Sequence, residues 1–303
     1  MNNINPFLVS VGIPTYNRPD SLKRTLEYIT AQTYRNLEII VSDNCSPAEE
    51  TEKIVNEFIE KDNRIQFFRQ PENKGPFFNF KFVLSKAKGD YFMWAADDDK
   101  WNSSFIEKIM LTFKTEEKNY VAVITEGQYI DNNGNNYDFF SEGKPFYNFY
   151  SEKKMSRLIH LLKFNYGNLV YGIFKTAALK KNNIIFAENE IPFLLQVMEK
   201  GNFKVLPDVG FYKNPPSYQT YLQAKWEKSG GKLPNSSFTY KYYKGLKLNF
   251  FYHLAAFDNI RKAIRSLDLK NAEKNYLIFL SFFYLAKHFF YFIIRYKPKS
   301  FLA

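Results

Sequence analysis

Along the first 115 or so residues, apolar positions switch repeatedly between short continuous runs and a spacing of three or four. FLVSVGIP (7–14) is a β-rich run closed by Pro14 and predicts a buried strand. Pro19-Asp20-Ser21 is a helix start signal, with Leu22, Leu26 and Ile29 following at helical spacing. LEIIVSD (37–43) predicts a second strand that ends on Asp43. The helix after it runs from about Pro47, with Ile54, Phe58 and Ile59 on one face. IQFFRQ (65–70) predicts a third strand, FFNFKFVLSKAKG a third helix ending at Gly89, and DYFMWAA a fourth strand. The helix beyond it, WNSSFIEKIMLTFKTE, would be capped by Asn102 or Ser103.

Four strand–helix alternations predict an α/β fold with a parallel, doubly wound sheet. Ligands of such sheets bind outside the carboxyl ends of the strands. Pro14, Thr15 and Tyr16, then Asp43, then Asp97, Asp98 and Asp99 all fall at those ends. Three adjacent carboxylates repel one another unless something positive sits among them. Past Tyr120 the pattern loosens. VAVIT (121–125) reads as a strand, 131–145 as a Gly- and Asn-rich loop, 151–164 as helix, and 168–179 as a strand entering a short helix. An amphipathic helix follows at 189–201, ended by Gly201. The turn-rich stretches 214–220 and 229–237 mark a boundary, beyond which the chain turns helical and aromatic.

Charge widens the choice of partner before narrowing it. The 303 residues carry 42 Lys and Arg against 31 Asp and Glu, a net of +11, which suits nucleic acid, anionic membrane or phosphorylated ligands. The basic residues are scattered and form no nucleic-acid motif, so no nucleic-acid partner is expected. One cysteine, Cys45, excludes a disulfide framework and a thiolate metal cluster. His160, His253 and His288 follow no ligand spacing. No signal-peptide pattern opens the chain, so a cytoplasmic location is expected.

The segment VSVGIPTYNRPDSLKRTLEYITAQTYRNLEIIVSDNCS, an N-x-G at 73–75 and DDD-x-W at 97–101 together resemble the family 2 glycosyltransferases. The resemblance covers roughly residues 7–212. It implies a GT-A fold: a mostly parallel, Rossmann-like sheet flanked by helices. The catalytic domain would span 1–215, with a nucleotide-sugar half (1–125) and an acceptor half (126–215). A helical extension would occupy 216–303. Pro14, Thr15 and Tyr16 would flank the nucleotide base, and Asp43 would accept from a ring N–H, as in uracil. Lys74, Gly75 and Asn79 would complete the donor site.

Counting back from Trp101 puts Asp97 at the ribose and Asp98 on a metal; counting from the alanines moves the ligand to Asp99. This DXD-type motif implies Mn²⁺ or Mg²⁺, because hard cations take oxygen ligands. The chain departs from the commonest pattern at Ala96, where many members carry aspartate. It departs again at Phe80 and Lys81, where they carry an arginine–asparagine pair, and Lys74 or Lys81 would have to replace that arginine.

AENEIPFLLQVMEKG fits the family's base segment, with Glu190 as the base and Glu188 as the alternative. The implied reaction is an inverting single displacement. It would move a sugar from a UDP-type donor to a glycan or lipid-linked acceptor during bacterial surface-polysaccharide synthesis. A non-catalytic sugar-nucleotide-binding partner subunit is the rival reading. The tail NYLIFLSFFYLAKHFFYFIIRY (275–296) is very apolar, but Lys287 and His288 at its middle argue against a span. Ser281, Tyr284, His288, Tyr291 and Arg295 form a narrow polar stripe at helical spacing. Such a helix could lie on the inner face of the membrane, pack on the domain or join a homo-oligomer.

Overall fold

A computed structural model of the chain describes residues 7–97, 99–130, 136–138, 149–164, 167–180, 184–187, 190–213 and 255–295. The first half follows the alternation that the sequence predicts. β1 (Val9–Thr15), β2 (Leu37–Asp43), β3 (Ile65–Arg69) and β4 (Tyr91–Trp94) are separated by α1 (Pro19–Thr30), α2 (Glu50–Ile59) and α3 (Pro76–Lys86). They lie side by side in the order β3-β2-β1-β4, and every pairing among them is parallel.

Alternation along β1 decides what packs on each face of the sheet. Val9, Val11 and Ile13 are fully buried against Leu22, Leu26 and Ile29 of α1. Their neighbours Ser10, Gly12 and Pro14 are small, and α3 settles closely over them. A Cβ on Gly12 would lie 2.7 Å from a methyl of Val83 and 2.8 Å from the Phe92 ring. At the opposite end of the strands the buried Glu38 carboxylate accepts from Ser10 Oγ at 2.5 Å and from the Lys88 and Gly89 amides at 2.6 and 3.1 Å. It joins β1, β2 and the turn before β4 without leaving a buried charge unsolvated.

The second half departs from a plain parallel sheet. β5 (Lys100–Trp101) is a short strand where the sequence suggests the start of a helix. α4 (Phe105–Thr115) begins later, with Ser104 rather than Asn102 or Ser103 at its N-terminal boundary. β6 (Tyr120–Ile130) outlasts the predicted VAVIT and pairs with β7 (Asn136–Asp138), inside the segment read as a loop. α5 (Lys154–Phe164), a 3₁₀ turn (Gly167–Tyr171), β8 (Ile173–Lys175), α6 (Thr176–Leu179) and α7 (Ile191–Met198) lead to β9 (Asn202–Lys213). β8 enters between β4 and β6, antiparallel to both, and β9 runs parallel to β6. β5 closes the edge against β9, pairing Lys100 with Tyr212 and Trp101 with Phe211. Among the described residues the result is one nine-stranded sheet.

Two helices, α8 (255–266) and α9 (Asn271–Arg295), extend the core on the α3 side of the sheet. Ala256, Ile260, Ile264, Leu277 and Leu285 are buried in the same cluster as Phe174 and Phe193. No helix among the described residues is long and apolar enough to cross a membrane. Ser281, expected on a polar stripe, is fully buried and donates to the Ile278 carbonyl at 2.7 Å. The side chains of the other four stripe positions, and the boundary stretches 214–220 and 229–237, lie outside the described residues.

Because both atoms facing Gly12 belong to a closely packed helix–sheet contact, Gly12→Ala should cost about 1–3 kcal/mol through overpacking. Urea unfolding checks this: an unchanged midpoint would mean that α3 does not bear on β1 as tightly as 2.7 Å implies.

Candidate active site

The carboxyl ends of β1, β2 and β4 meet in one crevice, and a few hydrogen bonds fix their ends together. Thr15 Oγ1, the last side chain of β1, donates to Asp97 Oδ2 at 2.7 Å, and Arg18 Nη1 donates to Asp97 Oδ1 at 3.2 Å. Asp97 and Asp99 are 6% and 4% exposed, so both carboxylates have left most of their water behind. Arg18 therefore supplies one of the positive charges that the acidic triplet needs. Asp98 lies outside the described residues.

Asp43 ends β2 and is 1% exposed. Both of its oxygens accept from the Ser46 amide at 3.1 Å, Oδ1 also accepts from the Ser46 hydroxyl, and Arg69 Nε lies 3.8 Å from Oδ2. These contacts turn the chain sharply after β2, with Cys45 at φ 64°. Pro14 is buried in register with Ser42, whereas Tyr16, just past the end of β1, is 43% exposed.

The N-x-G turn locks onto the turn after β2. Asn44 Nδ2 donates to Asn73 Oδ1 at 2.8 Å, Gly75 N donates to the same oxygen at 2.9 Å, and Lys74 N donates to Asn44 Oδ1 at 3.2 Å. Gly75 holds φ at +81°, a left-handed conformation that glycine adopts without strain, and α3 starts immediately after it. Asn79, in the first turns of α3, is buried. Its amide donates to the Ser42 carbonyl at 2.8 Å and to the Thr15 carbonyl at 3.3 Å, clamping β1 to β2 where their side chains face the crevice. Its Oδ1 is buried with no hydrogen-bond partner among the described residues.

The two lysines considered for a phosphate contact have other neighbours. Lys74 Nζ pairs with Glu72 at 3.1 Å and lies 5.1 Å from the Phe78 ring, and Lys81 Nζ lies 5.7 Å from the Phe186 ring. Among the described residues, Arg18 is a cation that bonds Asp97 directly.

Beside the triplet opens an apolar cavity of about 200 Å³, walled by Phe77, Phe80, Trp94, Ala96 and Phe186, with Glu190 at its edge. Trp94 is its hub. The indole Nε1 donates to the Phe80 carbonyl at 3.0 Å, and its ring meets Phe186 and Phe193 edge-on at 5.5 Å each. Ala96 contributes to this wall just before the acidic residues. Glu190 stands at the N-terminal boundary of α7, its carbonyl accepting from Leu194 N at 2.9 Å, and its side chain makes no cap hydrogen bond. Burial pushes its carboxyl above the ordinary range, and its own backbone N–H and the Lys213 ammonium pull it part of the way back. Lys213 donates to the Tyr171 hydroxyl and sits 4.1 Å from the ring centroid of Tyr171, another residue of the cavity wall. Glu188 lies outside the described residues.

Asp97 and Asp99 offer partly desolvated carboxylate oxygens, the ligand type that a hard divalent cation takes. Among the described residues, which leave out Asp98, no three His, Cys, Asp or Glu gather closely enough to hold a metal. Sequence reasoning missed Arg18, Asn44, Arg69 and Lys213. Only the first two carried a local signal, each adjoining a motif residue.

A mostly parallel sheet flanked by helices, with buried carboxylates and an apolar pocket at its strand ends, is the architecture of the GT-A fold. Solved structures agree. Staphylococcus aureus TarS (residues 1–349) superposes with a TM-score of 0.60 at 20% identity, over 90% of this chain and 70% of that one. A Pyrobaculum calidifontis mannosyltransferase in complex with GDP-Man and Mn²⁺ superposes with 0.51 at 15% identity, over 94% and 86%. The chain belongs to glycosyl transferase family 2, whose model matches residues 10–180, more than half its length. The Escherichia coli UDP-Glc:alpha-D-GlcNAc-diphosphoundecaprenol beta-1,3-glucosyltransferase WfaP is 34% identical over 110 residues, 36% of this chain and 43% of WfaP. The match spans less than half the length of such curated relatives.

The raised Glu190 pKa has a consequence for stability. Below the ordinary value near 4.5, the group is protonated whether the chain is folded or not. Above it the unfolded chain releases a proton that the folded protein retains, so this residue's contribution falls as pH rises through the folded pKa. Glu190→Gln should therefore unfold at higher denaturant than wild type at pH 8, with the gap closing toward pH 4. Denaturant midpoints at the two pH values check this, and a gap that widens at low pH would contradict a buried, raised carboxyl.

Proposed function

We propose that this protein is a metal-dependent, inverting glycosyltransferase that moves a sugar from a nucleoside diphosphate donor, most simply a UDP-sugar, to a glycan or lipid-linked acceptor of a bacterial surface polysaccharide. The observation that carries this reading is the juxtaposition of two unlike environments. Thr15, Arg18 and the buried Asp97 and Asp99 stand at one end of Ala96, and the apolar pocket with Glu190 stands at the other. A charged diphosphate fits the first environment, and a sugar ring with an attacking hydroxyl fits the second. Support comes from family membership, from the TarS fold, also solved with UDP-GlcNAc, and from a relative whose name specifies a UDP-sugar and a lipid-linked acceptor.

On this reading residues 1–215 form the catalytic domain and 216–303 an extension. Tyr16 stacks on the base, Asp43 faces its ring N–H, Asp97 faces the ribose, and Asp98 and Asp99 hold Mn²⁺ or Mg²⁺. Such a cation would offset the charge that builds on the departing diphosphate. Lys74, Gly75 and Asn79 shape the donor side. Glu190 takes the proton of the acceptor hydroxyl as its oxygen attacks the anomeric carbon. The bond to the diphosphate breaks on the opposite face, so the configuration inverts. A raised pKa suits this work, because a more basic carboxylate accepts the proton more readily once it is ionised. The enzyme would meet a lipid-linked acceptor at the inner face of the cytoplasmic membrane, with the 275–296 segment toward it.

A nucleotide-release screen over UDP-, dTDP- and GDP-sugars, with and without Mn²⁺, tests the reading. Release should depend on metal, disappear in Asp98→Ala and fall by roughly 10²-fold or more in Glu190→Gln. Full activity in EDTA would remove the metal, and wild-type rates in Glu190→Gln would move the base elsewhere.

A further inference from the structure

α9 is built with two unlike faces. Leu277, Ser281 and Leu285 point into the protein and are buried. Outward stand Tyr276, Phe279, Phe282 and Phe283, which are 49%, 58%, 56% and 54% exposed. Positions 276, 279 and 283 follow one another at helical spacing, and the Phe279 and Phe283 rings meet edge-on with centroids 4.7 Å apart. Large aromatic side chains exposed side by side are costly in water unless something covers them.

The same surface continues onto α8. Phe282 meets Phe257 edge-on at 6.0 Å, and Arg261 and Arg265 follow Phe257 at intervals of four along that helix. Both arginines lie at exposed positions, and Lys274 Nζ donates to the Arg265 carbonyl at 3.1 Å. Around the turn between the helices, residues 258–274 carry five basic side chains (Arg261, Lys262, Arg265, Lys270, Lys274) against three acidic ones (Asp258, Asp268, Glu273), so the patch has a mixed border with a basic excess. Asp258 pairs with Arg261 and Lys262 at 2.7 and 2.6 Å and offsets part of that charge. From Lys274 onward the sequence contains Lys274, Lys287, Arg295, Lys297 and Lys299 and no Asp or Glu at all. An aromatic face with a basic border complements a surface that is apolar below and anionic above. It does not complement another copy of itself, whose like charges would be brought together.

We propose that the outward face of the α8–α9 hairpin docks in the plane of an anionic phospholipid surface. Tyr276, Phe279, Phe282 and Phe283 enter the acyl boundary, and Arg261, Arg265 and Lys274 meet the headgroup phosphates. No described helix is suited to crossing a bilayer, and the burial of the opposite face against the core makes the attachment peripheral. The assignment rests on the membrane placement proposed above and gives it a face and a lipid chemistry.

Co-sedimentation of the full chain with phosphatidylglycerol-containing vesicles, against pure phosphatidylcholine vesicles, tests it. Wild type should bind the anionic vesicles and lose affinity with added salt. Phe279→Ser with Phe283→Ser should weaken binding at least tenfold, as should Arg265→Gln with Lys274→Gln, while nucleotide release to a water-soluble acceptor stays at the wild-type rate. Phe279, Phe283 and Arg265 are exposed and Lys274 is half-buried, and unchanged urea midpoints would show that the variants fold. Equal binding to both vesicle types, or none to either, would overturn the proposal. So would a dimer in sedimentation velocity that the phenylalanine variant splits, which would assign the face to a second copy. Failure on vesicles with intact nucleotide release would sink the docking surface and leave the enzymatic reading standing.

Discussion

The hydrogen bond from Thr15 to Asp97 is the contact on which the site depends. It joins the last residue of β1 to the first of three consecutive carboxylates, across 82 positions of sequence, at 2.7 Å. Asp97 and Asp99 are both buried, and like charges close together in a desolvated turn repel unless a positive group stands beside them. Arg18 answers part of the repulsion from the turn just beyond β1. On the proposed reading, a diphosphate entering this crevice would add negative charge, and an accompanying cation would offset it.

The apolar pocket is the counterweight. Trp94 and the phenylalanines around it keep water from the side of Glu190, and that exclusion is what raises its pKa. The two environments stay in register because the strands are sewn across the sheet. β5 carries Trp101, two residues past Asp99, onto Phe211 of β9, with ring centroids 6.0 Å apart. Phe211 stacks on Tyr171 at 5.0 Å, and Tyr171 receives Lys213, the cation nearest in effect to Glu190. A continuous path of packed rings therefore runs from the acidic turn to the opposite wall of the pocket.

The first four strands and their helices were legible because each announces itself locally, by a short apolar run or by helical spacing bounded by Pro or Gly. Asp43 and the triplet could be placed at strand ends for the same reason. β9 was not legible. NFKVLPDVGFYK carries Pro207 and Asp208 in mid-strand, and its pairing with β6 shifts register near Glu126, so no period of two survives along it. Arg18 and Lys213 escaped because a charged residue declares its role only through a partner far away in sequence. The orientation of α9 escaped for a different reason. With aromatics on nearly every side, hydropathy cannot say which face the protein keeps, and the small Ser281 fits the tight inner contact better than phenylalanine would.

That orientation bears on catalysis through a single short helix. α7 begins at the boundary residue Glu190 and ends beside Glu199, a carboxylate buried at 3% exposure. Glu199 accepts the amide of Asp268 in the turn between α8 and α9, and Gln196 Nε2 reaches Ser266 Oγ at 2.9 Å. Arg157 of α5 donates to the Met198 and Glu199 carbonyls at 3.0 and 3.1 Å and secures the same end. The hairpin is thus fixed to the far end of the eight-residue helix whose near end presents the proposed base. On the proposed reading, a lipid surface that orients the hairpin also orients Glu190. An acceptor anchored in that surface would then find the base at a set depth, rather than having to be carried to it.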